Sequence, residues 1–90
     1  MKKAVLINIK DDVVTLTQAA QPGDSVCYVA EGQGKTLIAR DSIPAFHKMA
    51  IQDRKRGETL HKYAEAIGQA SQDIVKGAHV DTHNLSSVRA

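Results

Sequence analysis

The sequence predicts a mainly β domain of short strands, and three observations lead there. Runs rich in β-branched and aliphatic residues are four to six residues long and are separated by turn signals. A turn feeding a strand recurs at a fixed offset of twenty residues: Ala50-Ile-Gln-Asp53-Arg-Lys-Arg56-Gly57-Glu-Thr-Leu60 returns as Ala70-Ser-Gln-Asp73-Ile-Val-Lys76-Gly77-Ala-His-Val80. Gly23-Asp-Ser-Val26 is a weaker echo upstream. Such self-similarity means that one supersecondary unit has been used more than once.

Taken in order, Ala4 to Ile9 is a strand closed by the polar pair Asp11-Asp12. Val13 to Thr17 alternates poorly but is β-branched, so it reads as a second strand. Gln18 to Gln21 leaves room for a helical turn before Pro22-Gly23-Asp24, where Pro presets φ and Gly accepts φ > 0. Ser25 to Ala30 is a strand, and Glu31-Gly-Gln-Gly34 is a hairpin loop into Thr36–Ala39. Asp41-Ser-Ile-Pro44 is a turn, and Lys48 to Ile51 is a short strand before the basic loop that ends at Gly57.

From Thr59 to Ala70 two patterns compete. Leu60, Tyr63, Ala64 and Ile67 have helical spacing with Gly68 as a cap, whereas the repeat argues for strand entry at Leu60. Short strands with one or two short helical turns are the expectation. Residues 1–85 form one domain, and 86–90 are expected to be a frayed tail.

Ninety residues with 42% hydrophobic and 24% charged side chains fit one small globular core and not a disordered chain. The formal charge of +2 and the three rings Tyr28, Phe46 and Tyr63 argue against a nucleic-acid partner, since Arg54-Lys55-Arg56 is the only basic cluster. The single cysteine, Cys27, rules out an intrachain disulfide. The apolar run after Met1-Lys2-Lys3 is too short for a secretion signal, and no run reaches membrane length. A cytoplasmic location without membrane contact is expected.

Gly32-Gln-Gly-Lys35-Thr36 resembles the end of a phosphate loop, but Val29 stands where that motif needs glycine, and the loop fits a hairpin turn. His79-Val-Asp81-Thr-His83 is sharper. As a strand it places His79, Asp81 and His83 on one face, a set suited to zinc, manganese or iron, or to proton transfer. The same spacing also fits a solvated edge strand. His47 follows a Pro-containing turn, a common setting for a functional side chain, or for a histidine bonded to a loop carbonyl. Glu65 is either a ligand or an exposed carboxylate.

As an ordered set these residues resemble a family. Ile43-Pro-x-x-His47-Lys48-x-Ala50, Gly57-Glu58, Lys62-Tyr63-x-Glu65-x-Ile67-Gly68-x-Ala70, Asp73-Ile74-x-x-Gly77 and Val80-x-x-His83-Asn84 are similar to the SAF-type N-terminal module of altronate and galactarate dehydratases, the UxaA family. The opening Ala4-Val-Leu-Ile-Asn8-x-Lys10-Asp-Asp12-Val13 looks like theirs as well.

The resemblance implies a β-clip (SAF-like) fold. It also implies a role as the small subunit or N-terminal module of a hydroxy-acid lyase, with a large catalytic subunit completing the active site. The reaction would be loss of water from a sugar acid, or of sulfite from sulfolactate in the branch that includes the sulfolactate sulfo-lyase small subunit. The substrate would be a small sugar acid or other hydroxy acid, and the cofactor a divalent metal such as Fe, Mn or Mg. His47, Glu65, Asp81 and His83 would be metal ligands, and His47, Lys48 and Asn84 would bind substrate.

Three positions depart from the family pattern: Phe46 and Ala64 replace glycines, and Asp81 replaces a histidine. A non-catalytic SAF-like module that binds a small ligand or scaffolds an oligomer is the alternative. A homodimer is the expected form if the chain self-associates.

Overall fold

A computed structural model describes residues 1–87. Their strands are β1 (Lys2–Val5), β2 (Val13–Leu16), β3 (Ser25–Ala30), β4 (Gln33–Ile38), β5 (Lys48–Ala50), β6 (Thr59–Lys62), β7 (Glu65–Ala70), β8 (His79–Val80) and β9 (Leu85–Ser87). The architecture is mainly β, as the sequence predicts, and consistent with the SAF-like fold that the resemblance implies. Two sheets form, one with strand order β4-β3-β1-β2-β5-β8 and one with order β6-β7-β9. β1 and β3 pair in parallel, and every other named pair is antiparallel.

No helix occurs among the described residues, so neither of the expected helical turns is present there. Gln18 to Gln21 is a bend that enters an isolated bridge between Ala20 and Ile43. Ser86 and Ser87, expected in the tail, pair with β7, and 88–90 lie outside the described residues.

The poor alternation of Val13 to Leu16 has a direct cause. Val14 and Leu16 enter one apolar cluster with Ala4, Val26, Ile43 and Met49. Val13 enters another with Ala50, Leu60, Ile74 and Val80. β2 and its partner β5 are covered on both faces, so both parities are apolar.

The recurring unit occurs four times, not three. Ala20, Ile43, Arg54 and Ile74 each make a bridge, in the reciprocal pairs Ala20–Ile43 and Arg54–Ile74. One residue further on, a turn closes in each copy: Asp24 N–H donates to Gln21 C=O, His47 to Pro44, Glu58 to Lys55 and Ala78 to Val75. The third residue of each turn is left-handed: Gly23, Phe46, Gly57 and Gly77, with φ of 93°, 69°, 91° and 89°. Three residues later a core side chain follows, Val26, Met49, Leu60 or Val80, each 0% exposed.

Positive φ at the third position is the geometry of a type II turn and favours glycine. Phe46 occupies it in the second copy, with 76% of its surface exposed. A left-handed non-glycine residue costs about 1–2 kcal/mol, and the exposed ring recovers little of that within this chain. Phe46→Gly is therefore expected to stabilise the domain. Glycine's larger unfolded-state entropy returns part of the gain, leaving about 0.5–1 kcal/mol. A thermal melt checks this; an unchanged or lower midpoint would show that the ring packs in solution.

The segment with helical spacing is the β6–β7 hairpin. Tyr63 and Ala64, at φ 56° and 61°, form its two-residue turn. Such turns favour Asn-Gly, and here the buried Asp11 carboxylate compensates. It accepts the N–H groups of Tyr63 at 3.1 Å and of Ala64 at 2.8 Å, and that of Asn8 at 3.1 Å.

Candidate metal centre

The second and fourth copies of the turn motif bring the site together. His47 closes the second turn and leads into β5, while His79 opens β8 just after the fourth. β5 and β8 are antiparallel neighbours, with Met49 opposite His79 and Lys48 opposite Val80. That register places His47 Nδ1 2.9 Å from His79 Nε2, so one nitrogen carries a proton and the other accepts it. Asp81 Oδ2 lies 3.6 Å from His47 Nδ1 and 3.9 Å from His79 Nε2. The three donor atoms fall within 4.8 Å of one another.

Two local effects tune the cluster. Burial holds the His79 imidazole below the ordinary histidine range, and the His47 ring beside it adds to this. Asp81 is held below the usual carboxylate range, first by the Thr82 backbone N–H and also by His47, His79 and Lys48. A neutral imidazole and an ionised carboxylate are the protonation states in which these groups ligate metals. Two imidazoles with a carboxylate are a donor set that would suit a first-row transition ion such as Fe²⁺ or Zn²⁺ better than Mg²⁺.

Of the residues implied by resemblance, His47 and Asp81 lie in this cluster. His83 stands beside it, its ring centroid 5.4 Å from that of His79. It arrives there by a turn and not by strand alternation: β8 ends at Val80, and the N–H groups of Asn84 and Leu85 fold back onto the Asp81 carbonyl at 3.1 and 3.0 Å. Lys48 lies on β5, near enough for its charge to act on Asp81.

Glu65 is elsewhere. It is exposed at the start of β7, opposite Lys62 in the three-stranded sheet. Asn84 is 4% exposed and both ends of its amide engage backbone, Nδ2 on the His79 carbonyl and Oδ1 on the Asp81 N–H.

His79 is the donor that the resemblance did not supply. Its sequence signal was the His-x-Asp spacing with Asp81. What the sequence does not display is the β5–β8 register that brings His47 alongside.

Comparison with known proteins finds relatives that match nearly the whole chain. Residues 2–88 match the altronate/galactarate dehydratase SAF domain. The altronate dehydratase of Bacillus subtilis is 33% identical over 87 residues, covering 97% of this chain and 17% of that enzyme. The alpha subunit of (2R)-sulfolactate sulfo-lyase from Chromohalobacter salexigens is 33% identical over 88 residues, covering 93% of this chain and 94% of that subunit. Its counterpart in Paracoccus pantotrophus is 43% identical over 53 residues, 59% of this chain and 79% of that subunit. A match across nearly the whole chain, together with an all-strand fold, places it: the chain belongs to the altronate/galactarate dehydratase SAF-domain family.

Proposed function

We propose that this chain serves as the small subunit or N-terminal module of a hydroxy-acid lyase, adding a metal- and substrate-binding face to an active site completed by a large catalytic subunit. The observation that carries the reading is the convergence of His47, His79 and Asp81 donor atoms within 4.8 Å. A scaffold has no physical reason to hold two imidazoles and a carboxylate together at a sheet edge.

A divalent ion here would supply Lewis acidity toward the carboxylate and hydroxyl oxygens of a hydroxy acid. The chain's own residues divide the rest. His47, His79 and Asp81 would hold the ion, His83 stands beside the His79 ring, and Lys48 would offer a positive charge to a substrate carboxylate. Proton abstraction falls to the large subunit, because the buried carboxylates described here, Asp11 and Asp12, are committed to backbone N–H groups and to Arg54 and His61.

Metal titration of the isolated chain tests this reading. Native protein is expected to bind Zn²⁺ or Fe²⁺ in a ratio of about one. His79→Ala is expected to weaken binding beyond the roughly 10–100-fold typical of losing an outer-shell partner. His83→Ala reports whether the adjacent ring joins as a further ligand, and a measurable loss is expected. A native chain that takes up no metal would remove the ligand role and leave a binding or scaffold module.

The alpha-subunit relatives support sulfolactate as a second substrate reading beside a sugar acid, because one of them aligns over 94% of its own length. Their designation as alpha subunits also supports a partner subunit. Activity of the reconstituted enzyme on altronate, galactarate and (2R)-sulfolactate separates the substrates. No described helix is long and apolar enough to cross a membrane, and a cytoplasmic location is part of the proposal.

A further inference from the structure

β8 is an outer strand of the six-stranded sheet and only two residues long. An edge strand leaves backbone N–H and C=O groups without a neighbouring strand. Around His79, side chains take that neighbour's place. Asp41 Oδ2 accepts the His79 N–H at 2.8 Å, and Asn84 Nδ2 donates to the His79 carbonyl at 2.8 Å. Asn84 Oδ1 also accepts the Asp81 N–H at 3.0 Å. Two side chains from separate loops thus grip the peptide groups on both sides of His79 and at the start of Asp81.

We propose that Asp41 and Asn84 are positioning residues that set the spacing of His47, His79 and Asp81, acting through the backbone of β8. The proposal rests on the metal-centre reading above. Its physical basis is tolerance: a metal–ligand bond fixes its length to a few tenths of an ångström, whereas a two-residue edge strand with open hydrogen bonds frays by more. Among the described residues of the sheet, only β5 pairs with β8, at Lys48–Val80 and Met49–His79. The brace supplies the other side. Asp41 does this as a hydrogen-bond acceptor, so an amide oxygen at the same place keeps the contact, though without the charge.

The brace differs from a general contribution to stability in what it changes. A destabilised but still folded protein keeps its native site geometry and hence its affinity. Loss of the brace alters that geometry within the folded state. Asp41→Ala, Asp41→Asn and Asn84→Ala are to be compared by Zn²⁺ competition against a chromogenic chelator at 25 °C, well below each melting midpoint. Asp41→Ala and Asn84→Ala are expected to bind Zn²⁺ about 10–100-fold more weakly, and Asp41→Asn within about threefold of native. Asp41 is exposed, so its variants remain informative if Asn84→Ala fails to fold.

A second measurement uses no metal. The imidazole ¹⁵N resonances of His47 and His79 report their mutual hydrogen bond. They are expected to move in Asp41→Ala and Asn84→Ala, and to move less in Asp41→Asn, which keeps the acceptor and removes only the charge near His79. Native resonances in both alanine variants would overturn the brace, as would native Zn²⁺ affinity in both. A native protein that binds no Zn²⁺ would instead overturn the metal reading, and the ¹⁵N comparison would still decide the brace.

Discussion

Gly77→Ala is expected to destabilise the domain by about 2–5 kcal/mol, made up of about 1–2 for a left-handed alanine and about 1–3 for overpacking. Gly77 has φ 89°, and a methyl group there would fall 2.2 Å from the Ile38 carbonyl oxygen. The backbone has little freedom to retreat, because Gly77 N–H donates to Ala50 C=O at 2.8 Å and Gly77 C=O accepts Arg40 N–H at 2.9 Å.

These bonds also explain the size of the effect. Ile38 ends β4 and Gly77 leads into β8, the two outer strands of the six-stranded sheet, so the sheet curls until its edges meet at this glycine. Gly57→Ala is the control. It has nearly the same φ, 91°, but nothing within 4 Å of an added methyl, so it carries only the backbone cost. Urea midpoints measured at equal slope separate the two. Equal losses would mean that the β4–β8 contact relaxes freely. For a domain whose total stability is about 5–15 kcal/mol, the larger loss is a sizeable fraction. If the proposed metal site is occupied, Gly77→Ala should also weaken binding there, since His79 stands two residues away.

The regular part of this design was legible in the sequence wherever glycine marked it. The third and fourth turns carry Gly57 and Gly77 at the same place, and Asp53 and Asp73 recur because each caps the other copy: Asp53 accepts Lys76 N–H and Asp73 accepts Arg56 N–H, both at 2.9 Å. The second turn was hidden because Phe46 replaces its glycine, although Ile43 and Met49 keep the bridge and core positions. The β6–β7 hairpin was ambiguous for a similar reason. Tyr63-Ala64 is not a hairpin dipeptide by composition, and what forces the turn is Asp11, more than fifty residues away.

The site shows the same division. His79 and Asp81 are close in sequence and belong together by spacing alone. His47 joins them only through the β5–β8 register, thirty-two residues away, which local pattern does not encode. Asn84 was visible as a polar residue after His83, but its burial and its two backbone bonds follow from the fold of the turn.

Asp12 provides the second large effect, and it separates stability from the site. Its carboxylate is 5% exposed and gathers three partners: the His61 N–H at 2.8 Å, His61 Nδ1 at 3.0 Å and the Arg54 guanidinium. Its own N–H donates to the His61 carbonyl at 3.0 Å, and its carbonyl accepts Ile51 N–H at 2.9 Å. Asp12 therefore fastens the start of β2, in the six-stranded sheet, to β6, in the three-stranded one.

Breaking one side of a fully buried ion pair costs about 3–5 kcal/mol. Here the Arg54 and His61 side chains are 27% and 42% exposed, so water recovers part of their interactions and about 2–3 kcal/mol is expected for Asp12→Ala. Asp12→Asn keeps an oxygen for the His61 N–H and should lose roughly half as much. His47, His79 and Asp81 are carried by β5, β8 and the turn after β8, none of which Asp12 bonds through its side chain. Asp12→Ala is thus expected to lower the urea midpoint while leaving Zn²⁺ affinity of the folded protein unchanged, whereas Asp41→Ala is expected to weaken that affinity. A parallel fall in both would mean that the two sheets fix the metal centre jointly and that the edge brace does not act alone.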